Sequence, residues 1–408
     1  MINKCRLCGD ADISLTLNFG HQPIASQLIT KNEKSSPKFP LQLGICNHCG
    51  LIQLLEAAPY EALVPSMPLI YKEPEQHLDD LAEQITKIPG LSVNSVFAAV
   101  SYKDTTLMDR LHAKNFLNNW QINPKSDLGV ANNNANIETL QHYITPETSC
   151  HIAAKHGQAD CLLARHILEH ADKTQSFIKA LSELIKMDGY LVIEVPDCTS
   201  NLQLKDYTMV WEEHRSYFTE NNFHKILQHS GFEPVTITSY PGIYENSLVQ
   251  IARKVPSSKI DTAASIDTTS LLSVYSAAFT AIKIKLKEYL TEQLAGSDGL
   301  VLYGAGHLSA AFINHHDLAN LVAFIADDTA EKQGQFLAGS GIPVRSSDAM
   351  MTGNYPLCLF GLSPEIEDKV IANNQDYISQ GGQFYSALAS SNRAIHKRIS
   401  GYTPNNPS

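Results

Sequence analysis

Four cysteines in two tight pairs carry the plainest chemistry in this chain: Cys5 and Cys8 in "CRLCG", and Cys46 and Cys49 in "CNHCG". Each C-x-x-C turns so that both thiolates point at one centre, and the glycine after each pair permits the tight knuckle. Two such pairs complete a closed tetrahedral zinc site. A redox C-x-x-C comes singly at a helix start, which is not the pattern here. With four thiolates and no open position, the zinc is expected to fold a small module rather than to catalyse. His48, inside the second pair, reads as a surface residue. Cys150, Cys161, Cys198 and Cys358 are scattered and read as buried packing.

Histidines and carboxylates gather further on. "LLARHILEHADK" places His166 and His170 four apart, on one helical face just past a strand, either as site residues or as ordinary helix residues. "VWEEHRSYF" crowds Glu212, Glu213, His214, Tyr217 and Phe218 together. A histidine flanked by two carboxylates reads as a general base with a raised pKa. A third group, "GLVLYGAGHLSAAF", is a strand running into Gly304-x-Gly306-x-x-Ser309 and a helix, with Asp327 and Asp328 ending the next strand. That spacing suits a nucleotide or dinucleotide turn, although the third glycine is missing. Nucleotide-sugar placement and a purely structural turn both remain open.

The elements that must position these groups follow from pattern and composition. A chain of 408 residues with 43% hydrophobic content is too long for one core and predicts two or three domains. With 31 basic and 42 acidic residues the net charge is -11, which repels phosphate backbones and anionic lipid, so neither nucleic acid nor membrane is an expected partner. No apolar run reaches the roughly 18 residues of a membrane span, and "MINKCRLCGD" lacks a signal-peptide core, so the expected location is cytoplasmic. From about Tyr71, "YKEPEQHLDDLAEQITKI" has the periodicity of an amphipathic helix. Then "SVFAAV", "NWQINP", "ADCLLARHIL" and "GYLVIEVP" alternate with helical stretches, the signature of a mostly parallel sheet covered on both faces. Ligands in such sheets bind beyond the carboxyl ends of the strands. "LLSVYSAAFTAIKIKLKEYL" lines Leu272, Tyr275, Phe279, Ile282, Leu286 and Leu290 on one face, as an interdomain connector would. The tail "KRISGYTPNNPS" reads as disordered. The expected fold is α/β, divided into a zinc-binding module (1–70), a doubly wound domain (71–255), a helical connector (256–295), a second Rossmann-like domain (296–392) and a tail (393–408).

In order, the zinc knuckles, "LLARHILEH", "GYLVIEVPD", "EEHRSYFT" and "YGAG" resemble the S-adenosylmethionine-dependent C-methyltransferases of deoxysugar biosynthesis, over nearly the whole chain. The resemblance implies a zinc-binding domain, a class I methyltransferase domain and a C-terminal Rossmann-like domain around a cleft for a nucleotide-linked keto sugar. It also implies zinc and S-adenosylmethionine as cofactors. By it, His214 takes the proton alpha to the sugar ketone, Glu213 is its neighbour, His170 faces the same cleft and Tyr71 lies near the substrate. C-methylation needs a carbanion equivalent beside a carbonyl, hence a base and hydrogen-bond donors for the enolate.

The cofactor turn departs from the family. Relatives read approximately "V-L-E-I-x-S-N-D-G-x-L-L" where this chain reads "VFAAVSYKDTTLM", with Ala98 for the acidic residue and no glycine after Ser101. Asp104 stands in for the family's aspartate only with one inserted residue. Asn123 in "QINP" stands where the family's carboxylate holds the ribose. The remaining cofactor contacts expected are Ser101, Asp104, Asn123, Ala164 and His166. Binding of S-adenosylmethionine is expected to be weaker than usual, and Asn123→Asp is expected to tighten it. The alternatives are a methyltransferase fold that has lost this site, working either by base-catalysed proton chemistry on a nucleotide sugar or as a non-catalytic binding protein.

Overall fold

The computed structural model of the chain describes residues 4–30, 36–64, 75–131, 137–256 and 266–404. Its N-terminal module is an antiparallel meander of Ile13–Pro23, Lys38–Cys46 and Ile52–Leu54. The module is not separate from the rest. Its last strand pairs with Ser216–Tyr217, far along the chain, and Leu28–Ile29 pairs with Phe336–Leu337.

The central sheet has six strands in the order Phe232–Tyr240, Asn246–Lys254, Ile185–Asp197, Ala159–Arg165, Phe97–Ala99, Asn119–Gln121. Asn246–Lys254 runs antiparallel to both its neighbours, and the remaining pairs are parallel. The "YLVIEVPD" half of Ile185–Asp197 is buried throughout, because helices cover both faces. From Phe97–Ala99 the chain crosses to one side, to Asn119–Gln121, and then to the other, to Ala159–Arg165. The switch point of this sheet therefore lies between Phe97–Ala99 and Ala159–Arg165. The predicted amphipathic helix is observed over His77–Thr86, with Leu78, Leu81, Ala82 and Ile85 buried. The expected start at Tyr71 lies outside the described residues.

A second, all-parallel sheet has the order Val344–Arg345, Val322–Ala326, Leu300–Tyr303, Leu357–Phe360, Gln383–Ser386. Gly304, just after its central strand, has φ 105°, and a Cβ there would stand 3.1 Å from the Gly361 carbonyl oxygen, so only glycine suits the turn. The connector is one helix, Ile266–Gln293. Its stripe is split between two cores: Leu272, Tyr275, Phe279 and Ile282 pack with Phe19 and Tyr207, whereas Leu286 and Leu290 pack with the C-terminal sheet. The expectation of a disordered tail is corrected through residue 404. Ile399 is buried, the Tyr402 hydroxyl donates to the Leu204 carbonyl, and the Lys205 ammonium donates to the Thr403 carbonyl. No helix among the described residues is long and apolar enough to cross a membrane.

Candidate active site

The four cysteine sulfurs meet as their spacing predicts. Cys5 Sγ lies 3.6 Å from Cys49 Sγ and Cys8 Sγ 3.6 Å from Cys46 Sγ, and all four lie within 4.8 Å of one another. Thiolates at about 2.3 Å from a tetrahedral zinc stand about 3.8 Å apart, so this donor set fits zinc. Gly9 and Gly50 adopt left-handed φ of 75° and 76°, and their amides close each knuckle onto the Cys5 and Cys46 carbonyls.

A cavity of about 850 Å³ opens between the central sheet and the C-terminal sheet. On the central-sheet side it is lined by Lys103, Arg165, His166, Glu169, His170 and His214, and on the other by His307 and Leu308 at the start of helix His307–His316. His166 and His170 do reach the same space, but not along a helix. His166 has φ 49°, and Leu168–His170 is a single 3-10 turn, so a sharp bend after strand Ala159–Arg165 presents both rings. His170 Nδ1 donates to the Glu213 carbonyl at 3.1 Å, and the rings of His170 and His214 stand 4.9 Å apart at 75°. Trp211 contacts His214 and stacks on His307 at 4.1 Å.

Two expectations at this dyad are corrected. The carboxylates beside His214 do not raise its pKa: burial, followed by the neighbouring His170, His307 and His166, holds it well below the ordinary value, so the imidazole is neutral. The reason is that both glutamates face the N-terminal module. Glu213 accepts from the Ser26 hydroxyl at 2.7 Å, and Glu212 accepts from the Ala25 amide. Burial pushes the Glu212 carboxyl up to about 7. Glu213 therefore reaches the site through its backbone carbonyl on His170. Tyr71 lies outside the described residues.

Of the five expected cofactor contacts, only His166 lines the cavity. Asp104 is fully buried, and its carboxylate accepts the amides of Val100 (3.0 Å), Ser101 (2.8 Å) and Arg165 (2.9 Å). Ser101 caps the short turn Tyr102–Asp104, Ala164 is core, and Asn123 caps helix Pro124–Leu128 by accepting from the Lys125 and Ser126 amides. Arg165, absent from the expected set, dominates the switch point. It is 1% exposed, donates to Glu194 at 2.6 Å and to the Lys103 carbonyl at 2.5 Å, and pairs with Glu75 at 3.1 Å. Glu194 also takes His77 (2.9 Å) and His166 (3.0 Å). Burial opposes the charge on His166, but Glu194 and Glu169 outweigh it and lift its pKa to about 10. At this turn the amides of Val100, Ser101 and Arg165 are taken by Asp104, Asn123 stands at the expected ribose position in place of a carboxylate, and Arg165 with Glu75 lines the cavity at the strand ends.

Sequence reasoning passed over Arg165, Glu169, Glu194, His77 and His307. A charged residue closing the apolar strand "CLLAR", and a histidine directly after "GAG", were the available signals.

Comparison with known proteins adds three family matches in chain order: a zinc binding domain over residues 5–63, a methyltransferase domain over 91–237 and a C-methyltransferase C-terminal domain over 253–388. The C-methyltransferase NovU of Streptomyces niveus is 22% identical over 408 residues, covering 94% of each chain. Among solved structures, a Burkholderia thailandensis 1,6-didemethyltoxoflavin-N1-methyltransferase with bound S-adenosylhomocysteine is 14% identical (TM-score 0.28), covering 44% of this chain and 77% of the other. An S-adenosylmethionine-dependent methyltransferase from Archaeoglobus fulgidus is 15% identical (TM-score 0.30), covering 44% and 94%.

Proposed function

We propose that this chain, which belongs to the family of zinc-containing, S-adenosylmethionine-dependent C-methyltransferases, is an enzyme acting on the carbon alpha to the ketone of a nucleotide-linked deoxysugar. The observation that carries the reading is the neutral His214 imidazole paired with His170 on the wall of an 850 Å³ cavity. A neutral imidazole has the lone pair that a base requires. His214 takes the proton from the alpha carbon, and the C–H electron pair moves into the carbonyl to give an enolate. The His166 imidazolium, kept charged by Glu194 and Glu169, offsets the developing negative charge. On the far wall the N-terminus of helix His307–His316, where His307 and Leu308 line the cavity, presents the positive end of its dipole to a diphosphate.

C-methylation at the enolate carbon is the family's reaction. A second reading, in which the enolate is reprotonated and the enzyme epimerises or enolises its substrate, is favoured by one observation: Arg165, Glu75, Glu194 and Asp104 fill the switch point.

The test is loss of the alpha proton to deuterated solvent, followed by NMR, across a panel of nucleotide-linked keto sugars. Exchange should occur with at least one sugar and fall by a hundredfold or more in His214→Ala. Exchange equal in His214→Ala and the unsubstituted protein would rule the reading out. Addition of S-adenosylmethionine separates the two outcomes, since only the first gives a methylated product.

A further inference from the structure

The dyad has a third member. Glu169 precedes His170 in the 3-10 turn and is 2% exposed, and one ligand atom from each of Glu169, His170 and His214 lies within 4.8 Å of the other two. We propose that these three residues form a binding site for a divalent transition cation of zinc, cobalt or nickel type, distinct from the four-cysteine site.

Four observations support this, and none depends on the zinc module. First, Glu169 Oε1 faces His166 at 3.7 Å, but Oε2 is buried and has no hydrogen-bond partner among the described residues, and a buried carboxylate oxygen without a donor is costly. Second, His170 Nδ1 donates to the Glu213 carbonyl, which holds the ring with Nε2 on the side of Glu169. A backbone carbonyl on one ring nitrogen is the usual way a metal-ligating histidine is oriented. Third, His170 Nε2 lies 3.9 Å from Glu169 Oε1, too far for a hydrogen bond. Two ligand atoms on one tetrahedral zinc lie about 3.4 Å apart, so a cation could span this gap with a small side-chain adjustment. Fourth, Glu169, His170 and His214 all line the large cavity, so an ion held by the three has a position open to a further ligand.

Two imidazoles and a carboxylate make a borderline donor set with an open position toward the large cavity, a set that suits zinc, cobalt or nickel over calcium or magnesium. A bound cation occupies the His214 lone pair, so it competes with the proton step. In that respect alone the inference rests on the proposed function; the metal site itself stands without it.

The experiment starts from full-length protein carrying one zinc per chain and titrates it with Co²⁺. A second equivalent should bind, with d–d absorption and no thiolate charge-transfer band. Glu169→Gln and His170→Ala should each weaken that binding at least tenfold while retaining the cysteine-bound zinc. In the unsubstituted protein, Co²⁺ should shift the ring protons of two histidines far outside the ordinary range, a readout that does not rely on any variant folding. Absence of a second equivalent, absence of those shifted protons, or a Glu169→Gln protein that binds Co²⁺ as tightly as its parent overturns the site. Saturation with Co²⁺ should also reduce deuterium exchange at least a hundredfold. If no sugar exchanges even without added metal, the proposed function fails while the binding result still decides the site.

Discussion

The Asp104 carboxylate accepts the backbone amide of Arg165 at 2.9 Å across the switch point of the central sheet, 61 residues further along the chain. The same carboxylate takes the amides of Val100 and Ser101. The turn that in a nucleotide-binding sheet leaves its amides for a ligand is here closed from within the protein.

Asn123→Asp tests that closure. Aspartate caps a helix as well as asparagine does, so stability should change by less than about 0.5 kcal/mol. The substitution should not tighten S-adenosylmethionine, because the three amides remain on Asp104. Calorimetric titration of both proteins is the measurement, and a tenfold gain in affinity would show that the switch point opens.

Arg165→Met removes the cation that Glu194 and Glu75 share. Glu194 is fully buried, and removing one partner of a buried pair costs about 3 to 5 kcal/mol. Urea unfolding should register a loss of that size. A loss under about 1 kcal/mol would mean that His77 and His166 satisfy Glu194 without the arginine.

Cys46→Ser should release the zinc and unfold the N-terminal module, since the binding free energy of such a metal is largely folding free energy. Because Ile52–Leu54 pairs with Ser216–Tyr217, just past His214, the loss should reach the cavity. Elemental analysis should find one zinc per chain in the parent. Finding none would refute the assignment.

Asp327 gives a pH test remote from both clusters. Burial raises its pKa, but the Thr329 and Ala305 amides and Lys332 more than reverse this, leaving it below the ordinary value. A depressed carboxylate stabilises the fold above its unfolded pKa of about 3.9 and ceases to as pH falls through the lower folded value. Asp327→Asn should therefore cost about 1.5 kcal/mol near neutrality. The difference between the two proteins in urea midpoint should shrink steadily below pH 4. A difference that is unchanged at pH 3 would count against it.

The amino-acid sequence by itself determined the features whose physics is local. Cysteine spacing decides a tetrahedral donor set because the ligands and the glycine-permitted knuckles are neighbours in the chain. The alternation of apolar strands with amphipathic helices decides a parallel sheet, and the stripe Leu272–Leu290 decides a buried connector face, because both are periodicities of a single element. Only the tertiary structure decided where side chains at the strand ends point. Asp104 turns inward because Arg165, from the next strand but one in sequence, brings its amide there. Glu213 turns away from His214 because Ser26 of the N-terminal module lies on that side, and the desolvation that keeps His214 neutral comes from elements on both sheets. The Glu169, His170 and His214 cluster joins a 3-10 turn to a loop 44 residues beyond it, a closeness that depends on how distant elements pack and that no spacing rule encodes.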